Sequence, residues 1–389
     1  MKLYKKHISD LGKVITGKTP RTSILENYGG KIPFLTPSDN LSEKFSPTTS
    51  KTLTKIGLNE VKNCLLPSKS ICVSCIGSDL GKVVLTKKPT VTNQQFNSIV
   101  PNEENDADFI YYLMTVVGKH LNYLSKTSTA VPIINKSTFA NYEIEIPNIK
   151  EQKRIGKILS SLDDKIELNR RINDNLEQQA QALFNYYFID TPELLGEFSV
   201  GSLADTANYV NGLAMQKYRP INGEKGLPVL KIKELGQGRI DSSSDFCSNK
   251  IDSYYKVYDG DVIFSWSGTL MVKIWCGGKC GLNQHLFKVS SKTIPKWFYY
   301  FWTKHHLDNF IRIAKDKAVT MGHIKRGELE KAEVLFPNNS VMKKLDTLMA
   351  PFLDQIIEKE CEIRKLALLR DTLLPKLISG ELVINDINN

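Results

Sequence analysis

The sequence predicts a mixed α/β (α+β) chain built twice. Two globular units are each followed by a long helix. The two helices pair as an antiparallel coiled coil, and a pseudo-two-fold axis relates the halves. Three observations predict this. A string of motifs occurs twice in the same order. Each copy ends in a proline, Pro147 or Pro337, where a helical composition begins. Each helical stretch carries one apolar seam that it cannot bury alone.

The repeat runs through the whole of each globular unit. IPFLTPSDN at 32–40 matches LPVLKIKEL at 227–235. ICVSCIGSDLGKVV at 71–84 matches DVIFSWSGTLMVKI at 261–274, which sets Trp266 opposite Ile76. TNQQF at 92–96 matches LNQHL at 282–286, and DFIYYL at 108–113 answers KWFYYF at 296–301. VPIINKSTFANYEIEIP at 131–147 answers MGHIKRGELEKAEVLFP at 321–337. Strand-like alternation and glycine turns fill both copies, with short helical runs around 111–123 and 297–314. The expected division is 1–148, 149–190, 191–338 and 339–389.

The first seam runs Ile155, Leu159, Leu162 and Ile166, then past Asn169 to Leu176, Ala180 and Leu183. The second, within 341–377, runs Leu345, Leu348, Phe352, Ile356, Ile363 and Leu366. Steps of three and four place each set on one helical face. Over about 39 residues a helix rises roughly 58 Å. Paired, such helices would hold the globular units apart at a fixed distance.

Composition narrows the function classes. A chain of 389 residues with 41% hydrophobic and 24% charged residues should be globular and soluble, in two or three domains. A net charge of +10 and a pI near 9.0 favour an acidic partner, nucleic acid before a membrane surface. No apolar run approaches the ~20 residues needed to span a bilayer. MKLYKKHISDLGK at the start lacks a signal-peptide apolar core. The seven scattered cysteines fit a reducing, cytoplasmic location. Cys72 and Cys75 lie on a strand-like run where residues three apart face opposite ways, and no second pair sits beside Cys276 and Cys280 at zinc spacing. No metal is expected.

Residues 12–19, GKVITGKT, spell a nucleotide-binding phosphate loop. That motif needs a buried strand before it and a helix after it. MKLYKKHISDL is a poor buried strand, and PRTSILENYGG breaks at paired glycines before a long helix could form. Aligning Ile15 and Gly17 with Val210 and Gly212 leaves Leu213 opposite Lys18 and Ala214 opposite Thr19. The match is therefore read as coincidence. Gly17 keeps a counterpart, as a turn with special backbone angles would require, and the expected target of Lys18 is a DNA phosphate.

Signs of catalysis are few. No Asn/Asp-Pro-Pro-Tyr/Phe string of an adenine methyltransferase occurs. Asp163, Asp164 and Lys165 read as a solvated charge run, and His305 with His306 as a surface pair. The chain is expected to read and scaffold rather than catalyse. Two diverged units on a spacer in a basic protein suggest bipartite reading of duplex DNA. An interaction scaffold without DNA preference is the rival.

Contacts should come from Lys and Arg to phosphate, and from Asn, Gln, Arg, Ser and Thr to base edges. In the first unit the candidates are Lys18, Arg21, Ser78, Lys82, Gln95, Lys126, Thr127, Thr129, Asn135 and Lys136. In the second they are Gln216, Lys217, Arg219, Ser267, Thr269, Lys273, His285, Lys315, Lys317, Thr320, His323, Lys325 and Arg326. Asn93-Gln94 and Asn283-Gln284 recur in both copies, so a backbone-bonding role is favoured. Tyr111, Tyr112, Tyr299 and Tyr300 recur too and read as core. Trp266, at a loop mouth, reads as core before DNA contact.

These residues carry a family resemblance. RIGKILSSLDDKIELNRRINDNLEQQAQALFNYYF, from Arg154, resembles the central spacer of the specificity (S) subunit of type I restriction–modification enzymes. RDTLLPKLISGEL near the C-terminus resembles the ending of that family. ITGKTPR and YVNGLAMQKYRP resemble the openings of its two target-recognition domains, and TMGHIKRGEL a domain's closing segment. The resemblance spans nearly the whole chain in the right order. It implies that each target-recognition domain reads one half of a split DNA site. The paired helices would act as a ruler and dock two methyltransferase (M) subunits. It implies no cofactor in this chain: S-adenosylmethionine would sit in the M subunit, which methylates adenine N6. ATP and Mg would sit in a restriction (R) subunit. Lengthening the first helix between Ile155 and Leu183 should then widen the gap and leave both half-sites unchanged.

Overall fold

A computed structural model describes residues 1–45, 48–77, 79–125, 133–316 and 322–384. The DNA-contact candidates Ser78, Lys126, Thr127, Thr129, Lys317 and Thr320 lie outside the described residues. The chain divides into two compact units, Met1–Lys165 with Leu366–Asn389, and Ile166–Lys365.

Short runs rich in β-branched and apolar residues form the strands. In the first unit, Gly12–Thr16, Phe96–Pro101, Ile71–Ser74 and Val83–Leu85 form an antiparallel sheet in that order. Lys51–Leu53, Tyr28–Leu35, Thr90–Thr92 and Leu65–Leu66 form a second sheet, in which Tyr28–Leu35 and Thr90–Thr92 run parallel. The second unit repeats both. Asn208–Asn211, Leu286–Ser290, Asp261–Ser265 and Met271–Trp275 form its first sheet. Phe246–Cys247, Leu227–Leu230, Cys280–Leu282 and Lys256–Val257 form its second, again with a parallel central pair. Two ribbons, Tyr4–His7 with Glu143–Ile146 and Phe198–Ser202 with Glu333–Pro337, lead the chain into the long helices.

Strand register corrects the repeat by one residue. Ile71 faces Ile99 and Ser74 faces Phe96, while Val262 faces Val289 and Ser265 faces Leu286. Trp266 therefore stands where Cys75 stands in the first copy, not Ile76. Two paired residues confirm this: Ile134 N donates to Cys75 O, and Ile324 N to Trp266 O. The shifted alignment sets Ser74 on Ser265 and removes the pairing of Ile71 with Asp261.

In the first unit the helix Ala107–Ser125 packs Phe109, Ile110, Tyr112 and Met114 in one cluster with Ile155, Leu159, Leu374 and Leu377 of the long helices. In the second, Trp297, Phe298, Phe301, Trp302 and Phe310 surround Phe184 and Phe188. The helical run expected at 297–314 is two helices, Lys296–His305 and Leu307–Asp316. At the break, His305 is exposed, as a surface residue would be, and His306 is half-buried. It stacks on Trp302, and its Nε2 hydrogen-bonds Glu333 O at 2.8 Å.

Burial pushes both His305 and His306 below the ordinary imidazole value. A depressed folded value means that the unfolded chain takes the proton first as pH falls. Their contribution is complete above about pH 6.5 and is lost as pH drops toward the folded values. Thermal melts should fall from pH 7 to pH 5, with a shallower slope in His306→Gln.

The long helices are Ile149–Asn185 and Asn339–Ile378. They run antiparallel. In the second unit Asn173 bonds Ile356 O and Glu360, while Phe184, farther along the first helix, shares a cluster with Leu345, earlier on the second. Ile155, Leu159, Ile166 and Leu345 are buried as expected. Leu162, Leu176, Leu183, Phe352, Ile356, Ile363 and Leu366 are half-buried. Leu348 is 40% exposed, and Met349 and Leu353 take the seam instead. Steps of three and four from Leu345 permit either row, and packing selects the second. The middle of the seam is polar: Asp163, Asn169 and Asn173 are buried. Asp163 is thus not part of a solvated run, although Asp164 and Lys165 are exposed.

Candidate nucleic-acid interface

Residues 12–16 of the phosphate-loop spelling are a strand, and no helix follows until the short turn Leu25–Asn27. Gly17 N donates to Phe96 O at 3.1 Å and Lys18 N to Thr92 O at 3.0 Å. Two amides that a phosphate cradle would offer are therefore already used. The same bonds seat the segment after the strand against the Asn-Gln turn at 93–95, where Thr19 Oγ1 donates to Gln94 Oε1 at 2.7 Å.

That turn is held by its asparagine. Asn93 Oδ1 accepts from Gln95 N at 3.1 Å, and Nδ2 donates to Gln95 Oε1 at 2.9 Å. Cys75 N donates to Gln95 O at 2.8 Å, and Ile134 N to Cys75 O at 2.9 Å. Four segments distant in sequence thus meet at one place: 17–21, the hairpin mouth at 75–77 and 79–82, 93–95 and 133–136. The second unit builds the same junction. Gly212 N donates to Leu286 O, Leu213 N to Leu282 O, Trp266 N to His285 O, and Gly268 N to Gly322 O. The asparagines of both turns bond backbone, as their recurrence implied, since His285 N donates to Asn283 Oδ1 as Gln95 N does to Asn93 Oδ1, whereas Gln94 and Gln284 bond side chains.

Gly17 and Gly212 are required here for a reason other than the one expected. Neither has a positive φ. A Cβ on Gly17 would lie 2.2 Å from Asn93 O, and one on Gly212 2.2 Å from Asn283 O. Close backbone approach, not turn angle, keeps both as glycine.

Polar side chains ring each junction. Lys18, Lys82 and Lys136 are exposed, and Gln95 is half-buried. Burial pushes the Cys64 thiol up, while the charges of Lys18 and Lys136 act the other way, so both ammonium groups bear on the same spot. Arg21 pairs with Glu60, its Nη2 3.1 Å from Oε1, which neutralises its charge. Asn135 accepts from Thr138 N at 2.8 Å, so its oxygen caps the helix Lys136–Ala140.

In the second unit Gln216 and Arg219 line a recess with Lys231, Asp245 and Asn283. Lys231 and Asp245 are ion-paired. Neither was singled out from the sequence. Lys217, Thr269, His323, Lys325 and Arg326 are exposed, and Ser267 is buried. Trp266 is half-buried against His285, Phe287 and His323, and its Nε1 donates to Asn211 Oδ1 at 3.0 Å. His285 also bonds Gln284. Lys315 and Thr269 line a second recess. Lys273 donates to Gly236 O at 2.8 Å, a fixed bond on the flank of the sheet. Cys72 and Cys75 enter different apolar clusters, and among the described residues no group of three His, Cys, Asp or Glu is placed to hold a metal.

Two equivalent α/β domains with matching loop junctions, each joined to a shared pair of long helices, define a tandem recognition-domain protein. The model of the type I restriction modification DNA specificity domain matches residues 2–178 and 196–369. The chain belongs to that family and is a type I specificity subunit with two such domains. It is 27% identical over 407 residues to the MjaIX specificity subunit of Methanocaldococcus jannaschii, covering 98% of this chain and 94% of that one. It is 38% identical over 176 residues to the HindI specificity subunit of Haemophilus influenzae, covering 43% and 38%. The crystal structure of the S subunit from M. genitalium shares the fold, with a TM-score of 0.59 at 16% identity over 97% of this chain and 96% of that one. Among the described residues no helix is long and apolar enough to cross a membrane.

Proposed function

We propose that each domain reads one half of a split DNA site through its loop junction, without catalysing a reaction itself. The observation that carries this is the convergence, in both units, of segments independently rich in DNA-contacting residue types. Lys18, Lys82 and Lys136 in one unit, and Lys217, Lys325 and Arg326 in the other, meet phosphates. Gln95, Gln216, Arg219 and Thr269 are the groups suited to base edges. The helix pair sets the gap and docks two M subunits, which bring S-adenosylmethionine and methylate adenine N6. R subunits with ATP and Mg complete a nuclease where they are present.

The test is DNA binding by the chain assembled with its methyltransferase partner. Sequence-selective binding that weakens steeply with salt is expected. Equal affinity for all duplexes would support the rival scaffold. The ruler has its own test. Inserting one heptad in each helix, within 164–172 and within 361–369, should widen the gap. A heptad advances roughly 10.5 Å, and ~3.4 Å per base pair makes that about three base pairs. Altered half-sites at constant gap would contradict it.

A further inference from the structure

One helix of the first unit touches both the loop junction and the long helices. Toward its end, Asn122 Nδ2 donates to Leu80 O at 2.7 Å. Gly118 packs on Gly81 so closely that a Cβ on Gly118 would sit 2.1 Å from Gly81 O. Residues 79–82 form the return side of the hairpin whose mouth meets the Asn-Gln turn. Earlier on the same helix, Tyr112 donates its hydroxyl to Asp163 Oδ2 at 2.5 Å. Arg370 Nη1 donates to Asp163 Oδ1 at 2.5 Å, so the tyrosine is tied to both long helices.

The second unit has a related connection by a different carboxylate, to the first long helix alone. Tyr300, which matches Tyr112 in the repeat, donates to Glu177 Oε1 at 2.9 Å, and Lys304 donates to the same oxygen at 2.6 Å. Beyond the break at His306, Ile311, Ala314 and Lys315 line a recess with Thr269 and Leu270 of the hairpin. Packing alone would have been served by phenylalanine at both tyrosines. A directed hydroxyl–carboxylate bond at both adds an angle.

We propose that Tyr112 and Tyr300, acting through Asp163 and Glu177, are positioning residues that set the angle at which each loop junction is held on the helix pair, and so the number of base pairs between the half-sites. The proposal rests on the DNA-reading function above. From Tyr112 to Gly118 and Asn122 the helix advances roughly 9–15 Å. A tilt of about 15° at the tyrosine moves the hairpin by roughly 3 Å, close to the ~3.4 Å rise of one base pair.

The experiment maps methylated adenines in the cells of origin carrying wild-type, Tyr112→Phe, Tyr300→Phe or Tyr142→Phe chains. Tyr142 bonds His120 within the first unit and touches neither carboxylate, so its variant controls for loss of a tyrosine hydroxyl alone. Tyr112→Phe and Tyr300→Phe should each keep both half-site sequences. Methylation at sites with a gap one base pair longer or shorter should rise at least tenfold, and Tyr142→Phe should keep the wild-type gap. An unchanged gap in both test variants overturns the proposal, as does equal broadening in the control. A wild-type map with no split motif removes the parent reading, and this inference with it.

Discussion

Arg370→Met should destabilise the first unit by about 3 kcal/mol, because it leaves the buried Asp163 carboxylate with Tyr112 as its remaining strong donor. For a unit of this size that is a fall in melting temperature of roughly 6–12 °C. The double variant Asp163→Leu/Arg370→Met should recover most of the loss, since apolar residues of similar volume often replace a buried ion pair without cost. Burial would lower the Arg370 guanidinium, yet the carboxylates of Asp163 and Asp371 hold it above its ordinary value. Burial and Asp163 together push the Tyr112 phenol up, so it remains a donor. Additive losses for Asp163→Leu and Arg370→Met in the double-mutant cycle would show that Asp163 and Arg370 do not act as a pair.

Gly212→Ala carries the second large effect. Its new Cβ would meet the backbone oxygens of Asn283 and Leu282 at 2.2 and 2.4 Å, and neither can swing aside as a side chain could. The segment from Gly212 to Arg219 must lift off the Asn-Gln turn. Methylation at the native site should fall at least tenfold, the equivalent of about 1.4 kcal/mol in binding. Gly17→Ala should do the same in the first unit, where Asn93 O stands 2.2 Å from the added carbon. Gly236→Ala is the control, because its Cβ would meet only Met271 at 3.8 Å. Normal methylation in Gly212→Ala would mean that the junction is not part of the reading surface.

Much of the architecture was legible because it is written twice. The order of motifs, the proline exits and the two seams all rest on periodicities that survive without knowing any contact. What escaped depended on choices that periodicity leaves open. Leu348 and Met349 satisfy the same helical spacing, and only the facing side chains decide between them. The spelling sets Trp266 opposite Ile76, and cross-strand partners move it opposite Cys75. Asp163 reads as part of a charged run, because nothing local reveals that Tyr112 and Arg370 cover it. At the candidate site, four segments were legible as polar loops, but their meeting point was not. It depends on backbone bonds such as Ile134 to Cys75, which leave no trace in composition. Lys273 and Asn135 were legible as polar residues, but their bonds to Gly236 O and Thr138 N were not. Lys231 and Asp245 lacked any sequence signal and were missed.

The central claim is that two loop junctions on one helix pair read two different half-sites. Genome-wide mapping of methylated adenines tests it most directly, comparing wild-type cells with cells whose first junction carries the loops of another specificity subunit. The account predicts one split motif with a fixed gap in the wild type. It predicts that the exchange rewrites one half alone and leaves the other half and the gap intact. A motif without a gap, or an exchange that alters both halves together, would contradict it.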